Sequence, residues 1–145
     1  MRILSLLLLI PTLALATPVI AGEGSRQATL YKNPQCGCCE GYADYLRGNG
    51  FEVTVKPTHD LPLLHRQHGV PEPLVGCHTT LVEGYVVEGH VPIGALLRML
   101  AERPAIEGIS LPGMPAGSPG MFGEKSAPFT IYEIGEGEAK VYAVE

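Results

Sequence analysis

The chain has 145 residues, which suits one compact domain with a modest core, and its formal net charge is −5. Lysines and arginines are scattered singly along it, so there is no basic stripe and we expect no nucleic-acid partner. Four cysteines are too few for a disulfide scaffold, and three of them crowd together, which indicates a chemical site.

The first 21 residues have the features of a secretory signal peptide. Arg2 supplies a positive start, "ILSLLLLI" and "TLALA" form a short apolar run, and small residues allow cleavage after Ala16 or Ala21. The run is short for a membrane span, and nothing strongly positive follows it. We therefore predict that residues 1–21 are removed and that residues 22–145 form a single exported domain without a membrane anchor.

A β–α–β unit is predicted after the signal peptide. "QATLYK" reads as a strand, and "GCCEGYADYLRGNG" reads as a helix with Tyr42, Tyr45 and Leu46 on one face, ended by its glycines. "FEVTVK" alternates apolar and polar residues, which is typical of a strand. A parallel pair with a right-handed crossover is the expected packing.

The second half of the chain is predicted to contain two hairpins and two helices. Asp60 can cap a short helix over "LPLLHRQHG", "VPEPLVG" is too rich in proline for regular structure, and "CHTTLVEGYVVEGHV" forms a hairpin turning at Glu83-Gly84. Pro92 opens a helix over "PIGALLRMLAER", with Ile93, Leu96, Leu97 and Leu100 on one apolar face. "GISLPGMPAGSPGMFGEKSAP" is predicted to be a long irregular loop, followed by a hairpin over "FTIYEIGEGEAKVYAVE".

Cys36 and Cys39 have C-x-x-C spacing at the point where a strand gives way to a helix. The unpaired N–H groups and the dipole of a helix N-terminus stabilise a thiolate, which attacks disulfides and binds metals. This position in a β–α–β unit is a thioredoxin-like signal, so a thiol–disulfide oxidoreductase with Cys36 as nucleophile and Cys39 as resolving thiol is one hypothesis. A plain structural disulfide is another. Cys38 favours a metal site, because a dithiol oxidoreductase needs no third thiol.

Cys77 and His78 begin the predicted hairpin, which in a thioredoxin-like fold starts beside the active-site helix. They would add a fourth sulfur and an imidazole to the cluster. Such soft donors suit Cu(I), zinc or an iron–sulfur cluster, and a zinc-stabilised binding module stays open. Thioethers are ordinary ligands for copper and unusual ones for zinc, so the methionines of the irregular loop favour copper. The further candidate ligands are His90, Met114 and Met121.

Three segments together carry a family resemblance. "LYKNPQCGCCEGYADYLRGNGFEV", "CHTTLVEGYVVEGHVP" and "LPGMPAGSPGM" resemble, in order and spacing, the CopG-type periplasmic copper-resistance proteins, long catalogued as a family of unknown function. The likeness runs from about Ala28 to Glu145. His78-Thr79 stands where ordinary thioredoxins have a proline and a threonine, which speaks against general oxidoreductase activity.

The resemblance implies an α/β, thioredoxin-like fold, here a β–α–β unit plus β-hairpin and helix with an added C-terminal β-hairpin. It also implies a thiolate-bridged multinuclear copper centre on Cys36, Cys38, Cys39 and Cys77, and a periplasmic role in copper tolerance beside other copper-handling proteins. Interconversion of Cu(I) and Cu(II) and simple sequestration are both compatible with it.

Overall fold

The computed structural model describes residues 25–145, so the signal peptide predicted for residues 1–21 lies outside the described residues. Seven strands and three α-helices make up the described part, together with one short 3₁₀ turn at Glu72–Leu74. The helices and strands are β1 Arg26–Lys32, α1 Gly37–Gly48, β2 Phe51–Pro57, α2 Leu61–Gln67, β3 His78–Val82, β4 Tyr85–Gly89, α3 Ile93–Glu102, β5 Gly108–Leu111, β6 Thr130–Ile134 and β7 Val141–Val144. None of these helices is both long and apolar enough to cross a membrane.

All seven strands belong to one mixed sheet in the order β2-β1-β3-β4-β5-β6-β7. β1 and β2 are parallel and are joined through α1, as the sequence predicts. β3 runs antiparallel to β1, with His78 opposite Lys32. The end of β1 and the start of β3 therefore lie side by side at the same end of the strands, which brings the residues after Lys32 next to those before His78. The mixed α/β prediction is confirmed.

Both long helices bury one stripe against this sheet. In α1 the stripe contains Tyr42 and Leu46, as the helical spacing predicts. In α3 it contains Leu96, Met99 and Leu100, whereas Leu97 is 39% exposed. The expectation that Leu97 shares the apolar face is wrong, because Leu97 is rotated by about 100° from Leu96 around the helix. Fully burying a leucine contributes roughly 1.5–3 kcal/mol, so these stripes hold the helices in place.

Residues 108–111 correct the largest secondary-structure prediction. The sequence pattern places them at the start of the irregular loop, whereas in the structure they form β5, which pairs in parallel with β4 and is buried throughout. Gly108 has no side chain, and its backbone lies directly against the carbonyl of Val86. β5 also pairs with β6, so the C-terminal hairpin extends the same sheet instead of standing apart.

Two smaller expectations also need correction. Asp60 is the N-cap residue of α2, but its side chain makes no capping hydrogen bond, and its backbone carbonyl accepts from Leu63 and Leu64 instead. The proline-rich "VPEPLVG" segment includes the 3₁₀ turn at Glu72–Leu74, because proline is compatible with the first turn of a helix.

Candidate metal centre

The four cysteines meet beside the end of β1 and the start of β3, with their four Sγ atoms all within 4.8 Å of one another. Cys36 is the N-cap residue of α1, and a disulfide joins it to Cys39 in the first turn. Cys38 and Cys77 are free thiols; Cys38 Sγ lies 3.5 Å from Cys36 Sγ and Cys77 Sγ lies 3.6 Å from Cys39 Sγ. Because the thiolate is the metal ligand, Cys36 and Cys39 can bind an ion only when their disulfide is reduced.

Two buried histidines approach the same cluster through Cys77. The Sγ atom of Cys77 lies 3.3 Å from Nδ1 of His78 and 3.1 Å from Nε2 of His90. Both imidazoles have no exposed surface. Cys77, His78 and His90 thus form a second donor group within 4.8 Å, and Cys77 is the member that the two groups share.

The loop after β5 sets the tautomer of His90. Its Nδ1 lies 2.6 Å from the carbonyl oxygen of Pro119. A carbonyl only accepts, so Nδ1 carries the proton and Nε2 presents a lone pair toward Cys77. A metal-binding histidine usually donates its other ring N–H to such an acceptor, which fixes its orientation and raises its basicity. His90 therefore has the arrangement expected of a ligand.

Burial governs the charges at this site. It lowers the pKa of His78 to about 3, with a further contribution from the neighbouring His90, and it lowers the pKa of His90 as well. Both rings are therefore neutral at pH 7. Burial, reinforced by Cys38, raises the pKa of the Cys77 thiol to about 12, so without a metal the thiol is protonated. Metal binding would have to displace this proton.

Tyr42 of α1 holds the two imidazoles in place. Its ring centroid lies 4.7 Å from that of His78 and 5.5 Å from that of His90, while its hydroxyl donates to the carbonyl of Val91 at 2.9 Å. Among the described residues, Nε2 of His78 has no hydrogen-bond partner. His78 is therefore positioned mainly by packing against Tyr42 and His90, which lies 4.9 Å from it ring to ring.

A buried lysine supports the loop that carries Cys36. Lys32, at the end of β1, is 3% exposed, and its ammonium donates to the carbonyls of Asn33 and Pro34 at 3.3 Å. The same ammonium lies 3.1 Å from Oε1 of Glu40 in α1. Lys32 thus ties the loop to the helix on either side of Cys36 and compensates its own burial with three oxygen partners.

Glu88 of β4 supports the segment that carries Cys77 and His78. Its fully buried carboxylate accepts from the backbone N–H of Gly76 at 3.0 Å and from the hydroxyl of Thr79 at 2.5 Å. These donors lie on either side of the Cys77-His78 pair. His65 Nε2 is 3.5 Å from the carboxylate, but burial raises the pKa of Glu88 to about 7 and lowers that of His65. The contact with His65 is accordingly not an ion pair at neutral pH.

Two adjacent threonines test the contribution of Glu88. Thr79→Val removes a hydrogen bond to a buried carboxylate and should lower the free energy of unfolding by about 1.5–3 kcal/mol. Thr80 is the matched control, because it is equally buried on β3 and its hydroxyl has no partner among the described residues. Thr80→Val should leave stability unchanged or raise it by roughly 1 kcal/mol. Urea unfolding of both variants measures the difference, and equal losses would contradict the assignment.

Close backbone contacts bring the donors together. A Cβ atom on Gly76 would lie 2.5 Å from the nitrogen of Gly89, so the backbones before Cys77 and before His90 touch where neither residue has a side chain. A Cβ atom on Gly41 would lie 2.9 Å from the carbonyl oxygen of Gly120. The loop after β5 therefore packs directly on α1, beside the point where Pro119 contacts His90.

The predicted site residues separate into two sets. The structure brings together Cys36, Cys38, Cys39, Cys77, His78 and His90. Met114 is 44% exposed in a left-handed backbone conformation, and Met121 is half-buried directly after Gly120. As metal ligands, these two methionines stay predictions.

Sequence reasoning did not find the residues that surround the donors. Tyr42 was assigned only to a helix face, while Glu88 and Pro119 had no local signal of a role. Their partners lie far away in sequence, so no spacing rule connects them to the cysteines.

The fold and the site define a small mixed α/β protein with a cluster of cysteines and histidines, residue types that can hold soft metal ions. Two solved structures, titled "Copper resistance protein copG- Form 2" and "Copper resistance protein copG- Form 1", are 35% and 36% identical to the chain, with TM-scores of 0.76 and 0.75. The alignments cover 83% and 82% of this chain and 98% and 96% of theirs. The chain belongs to the CopG family of copper resistance proteins.

The other comparisons add a narrower match. The family described as "Protein of unknown function, DUF411" matches residues 74–121, a segment that contains Cys77, His78 and His90 but not the first three cysteines. No curated protein matches the chain. The resemblance inferred from the sequence is confirmed by the solved structures.

Proposed function

We propose that the protein binds copper and that this binding contributes to copper resistance. The thiolate ligands are Cys36, Cys38, Cys39 and Cys77, and the imidazole ligands are His78 and His90. The observation that carries the proposal is the sharing of Cys77 between a group of four sulfurs and a group with two imidazole nitrogens. Clustered thiolates favour Cu(I) over harder ions, and imidazole also suits copper. The two structures titled as copper resistance proteins support copper over other soft metals.

The shared cysteine further supports a centre with more than one copper ion. Six donor residues exceed the four that a single tetrahedral ion needs, and a sulfur that belongs to two donor groups can bridge two ions. The centre we propose is therefore multinuclear and favours Cu(I), with Met114 and Met121 as candidate thioether ligands from the loop after β5. The proposal includes interconversion of Cu(I) and Cu(II) at this centre.

The wider setting is part of the same proposal. Residues 1–21 act as a signal peptide, residues 22–145 form one thioredoxin-like domain in the periplasm, and other periplasmic copper-handling proteins supply or receive the metal. The parallel β1–β2 pair, the β3–β4 hairpin and the disulfide at the N-terminus of α1 support the thioredoxin-like assignment.

Anaerobic Cu(I) titration of the fully reduced protein tests the binding proposal. With a chromophoric Cu(I) chelator as competitor, we expect more than one tightly bound ion per chain, and fewer once the Cys36–Cys39 disulfide forms, because two thiolates are then lost. Cys36→Ser, which removes one of the four thiolates, should also lower the capacity, whereas Gly37→Ala should not, since a Cβ atom at Gly37 meets nothing within 4 Å. Binding that is weak, or that is indifferent to Cys36→Ser, would refute the proposal.

A second candidate is a thiol–disulfide oxidoreductase, which the Cys36–Cys39 disulfide at a helix N-terminus favours. It predicts disulfide reduction or refolding activity that survives Cys38→Ser and Cys77→Ser. A zinc-stabilised module would instead retain zinc against a moderate excess of copper and would unfold with a chelator.

A further inference from the structure

The Cys36–Cys39 disulfide lies between two free thiols. Cys38 Sγ is 3.5 Å from the sulfur of Cys36, and Cys77 Sγ is 3.6 Å from the sulfur of Cys39. A dithiol that closes into a disulfide gives up two electrons. Because each of its sulfurs contacts a thiol that is itself a candidate ligand, these electrons are released inside the metal centre.

A donor group independent of the disulfide adjoins this pair. Cys77, His78 and His90 lie within 4.8 Å of one another, and His90 presents an unprotonated Nε2. A set of one cysteine and two histidines is the ligand combination of copper sites that transfer electrons, where the ion changes between Cu(II) and Cu(I). Cys77 belongs to this group, and its sulfur lies 3.6 Å from that of Cys39, so it connects the dithiol with copper held by the group.

We propose that the reduced protein converts Cu(II) to Cu(I) with the Cys36–Cys39 dithiol as the reductant, an activity that rests on the copper binding proposed above. Two Cu(II) ions each gain one electron. The two thiols each lose one electron and one proton, a sulfur–sulfur bond forms between them, and both protons pass to solvent. The disulfide form seen in the structure is the product, in which Cys38, Cys77, His78 and His90 remain as ligands for Cu(I).

An external thiol returns the disulfide to the dithiol. Cys36 is half-buried whereas Cys39 is fully buried, so the Cys36 sulfur is the one that an incoming thiolate reaches. Attack there forms a mixed disulfide and releases Cys39 as a thiolate, which takes up a proton. A second external thiol then displaces Cys36 and leaves the external disulfide. Each cycle therefore consumes two external thiols and two Cu(II) ions.

The test adds Cu(II) salt to the fully reduced, desalted protein without oxygen. Cu(I) is measured with a chromophoric chelator, free thiols are counted, and the disulfide is mapped by peptide mass spectrometry. We expect two Cu(I) ions for every two thiols lost, with the new disulfide between Cys36 and Cys39. Cys36→Ser should slow Cu(I) formation at least about tenfold, because Cys39 then lacks the partner with which it forms the disulfide seen in the structure.

Two further variants make the result specific. Gly37→Ala should react like the parent protein, because a Cβ atom at Gly37 would meet no other part of the fold within 4 Å. His90→Gln should slow the reaction about tenfold, because it removes a Cu(II) ligand. The fully reduced variant should start with the same number of thiols as the parent protein, because no reductant is lost. An unchanged rate in Cys36→Ser, or a disulfide that maps to another pair, would overturn the inference.

Titration of the same reduced protein with Cu(I) separates this inference from the binding proposal. Tight Cu(I) binding together with loss of no thiols to Cu(II) overturns the inference alone. Absence of tight Cu(I) binding overturns the proposed function, whatever the response to Cu(II).

Discussion

Replacement of Cys77 by serine is expected to weaken copper binding more than replacement of Cys38. Cys77 belongs to both donor groups, and its sulfur lies 3.1 Å from Nε2 of His90, 3.3 Å from Nδ1 of His78 and 3.6 Å from the sulfur of Cys39. Without Cys77, no sulfur connects the two imidazoles with the other three cysteines. We expect Cu(I) affinity to fall at least about 100-fold, the upper end of what losing an outer-shell partner costs.

Competition titration with a Cu(I) chelator measures this loss. Cys38→Ser is the control, because Cys38 belongs only to the group of four sulfurs and should lose less affinity. Unfolding in urea shows whether the fold survives, which we expect because Cys77 is only partly buried and serine is of similar size. Equal losses of affinity in the two variants would rule out a bridging role for Cys77.

Gly76→Ala should damage stability and copper binding together. Its Cβ atom would lie 2.5 Å from the nitrogen and 2.7 Å from the Cα of Gly89, and both are backbone atoms that cannot rotate away. The segments before Cys77 and before His90 would have to separate, and the bond from the Gly76 N–H to Glu88 would be disturbed. We expect a loss of about 2–3 kcal/mol in the free energy of unfolding, as for other overpacked positions.

The matched control is Gly37→Ala, because Gly37 lies between the candidate ligands Cys36 and Cys38 but has open space around it. It should keep parental stability and Cu(I) affinity in urea unfolding and chelator competition. If Gly76→Ala also kept both, the close approach of the two backbones would not be what holds Cys77 beside His90.

Much of the fold can be predicted because its signals are local. α1 and the strands β1 and β2 follow from helical spacing, terminal glycines and strict alternation, and these depend only on neighbouring residues. β5 was missed because four buried residues after a turn have no period of their own, and only pairing with β4 makes them a strand. The prediction for Leu97 is wrong because apolar residues cover more of the surface of α3 than the sheet contacts. Leu97 lies on the part that stays exposed.

The candidate site divides in a similar way. The cysteine cluster could be found from spacing, since Cys36, Cys38 and Cys39 lie within four positions at a predicted helix N-terminus, and Cys77-His78 begins a predicted hairpin. The role of His90 could not be settled that way. Its ring is oriented by the carbonyl of Pro119, 29 positions further along, and no sequence rule anticipates that contact.

The amino-acid sequence was enough to indicate the candidate donors, four thiols and a set of imidazoles, together with most of the helices and strands that carry them and a likeness to copper resistance proteins. Residue type and short-range spacing carry that information. Only the folded chain shows that Cys77 joins the two donor groups, that His90 offers Nε2, and that Tyr42 and Glu88 contact the segments that carry the candidate ligands. The reason is physical: a metal centre needs atoms within a few ångströms, and only strand pairing and backbone contact across the chain bring these donors that close.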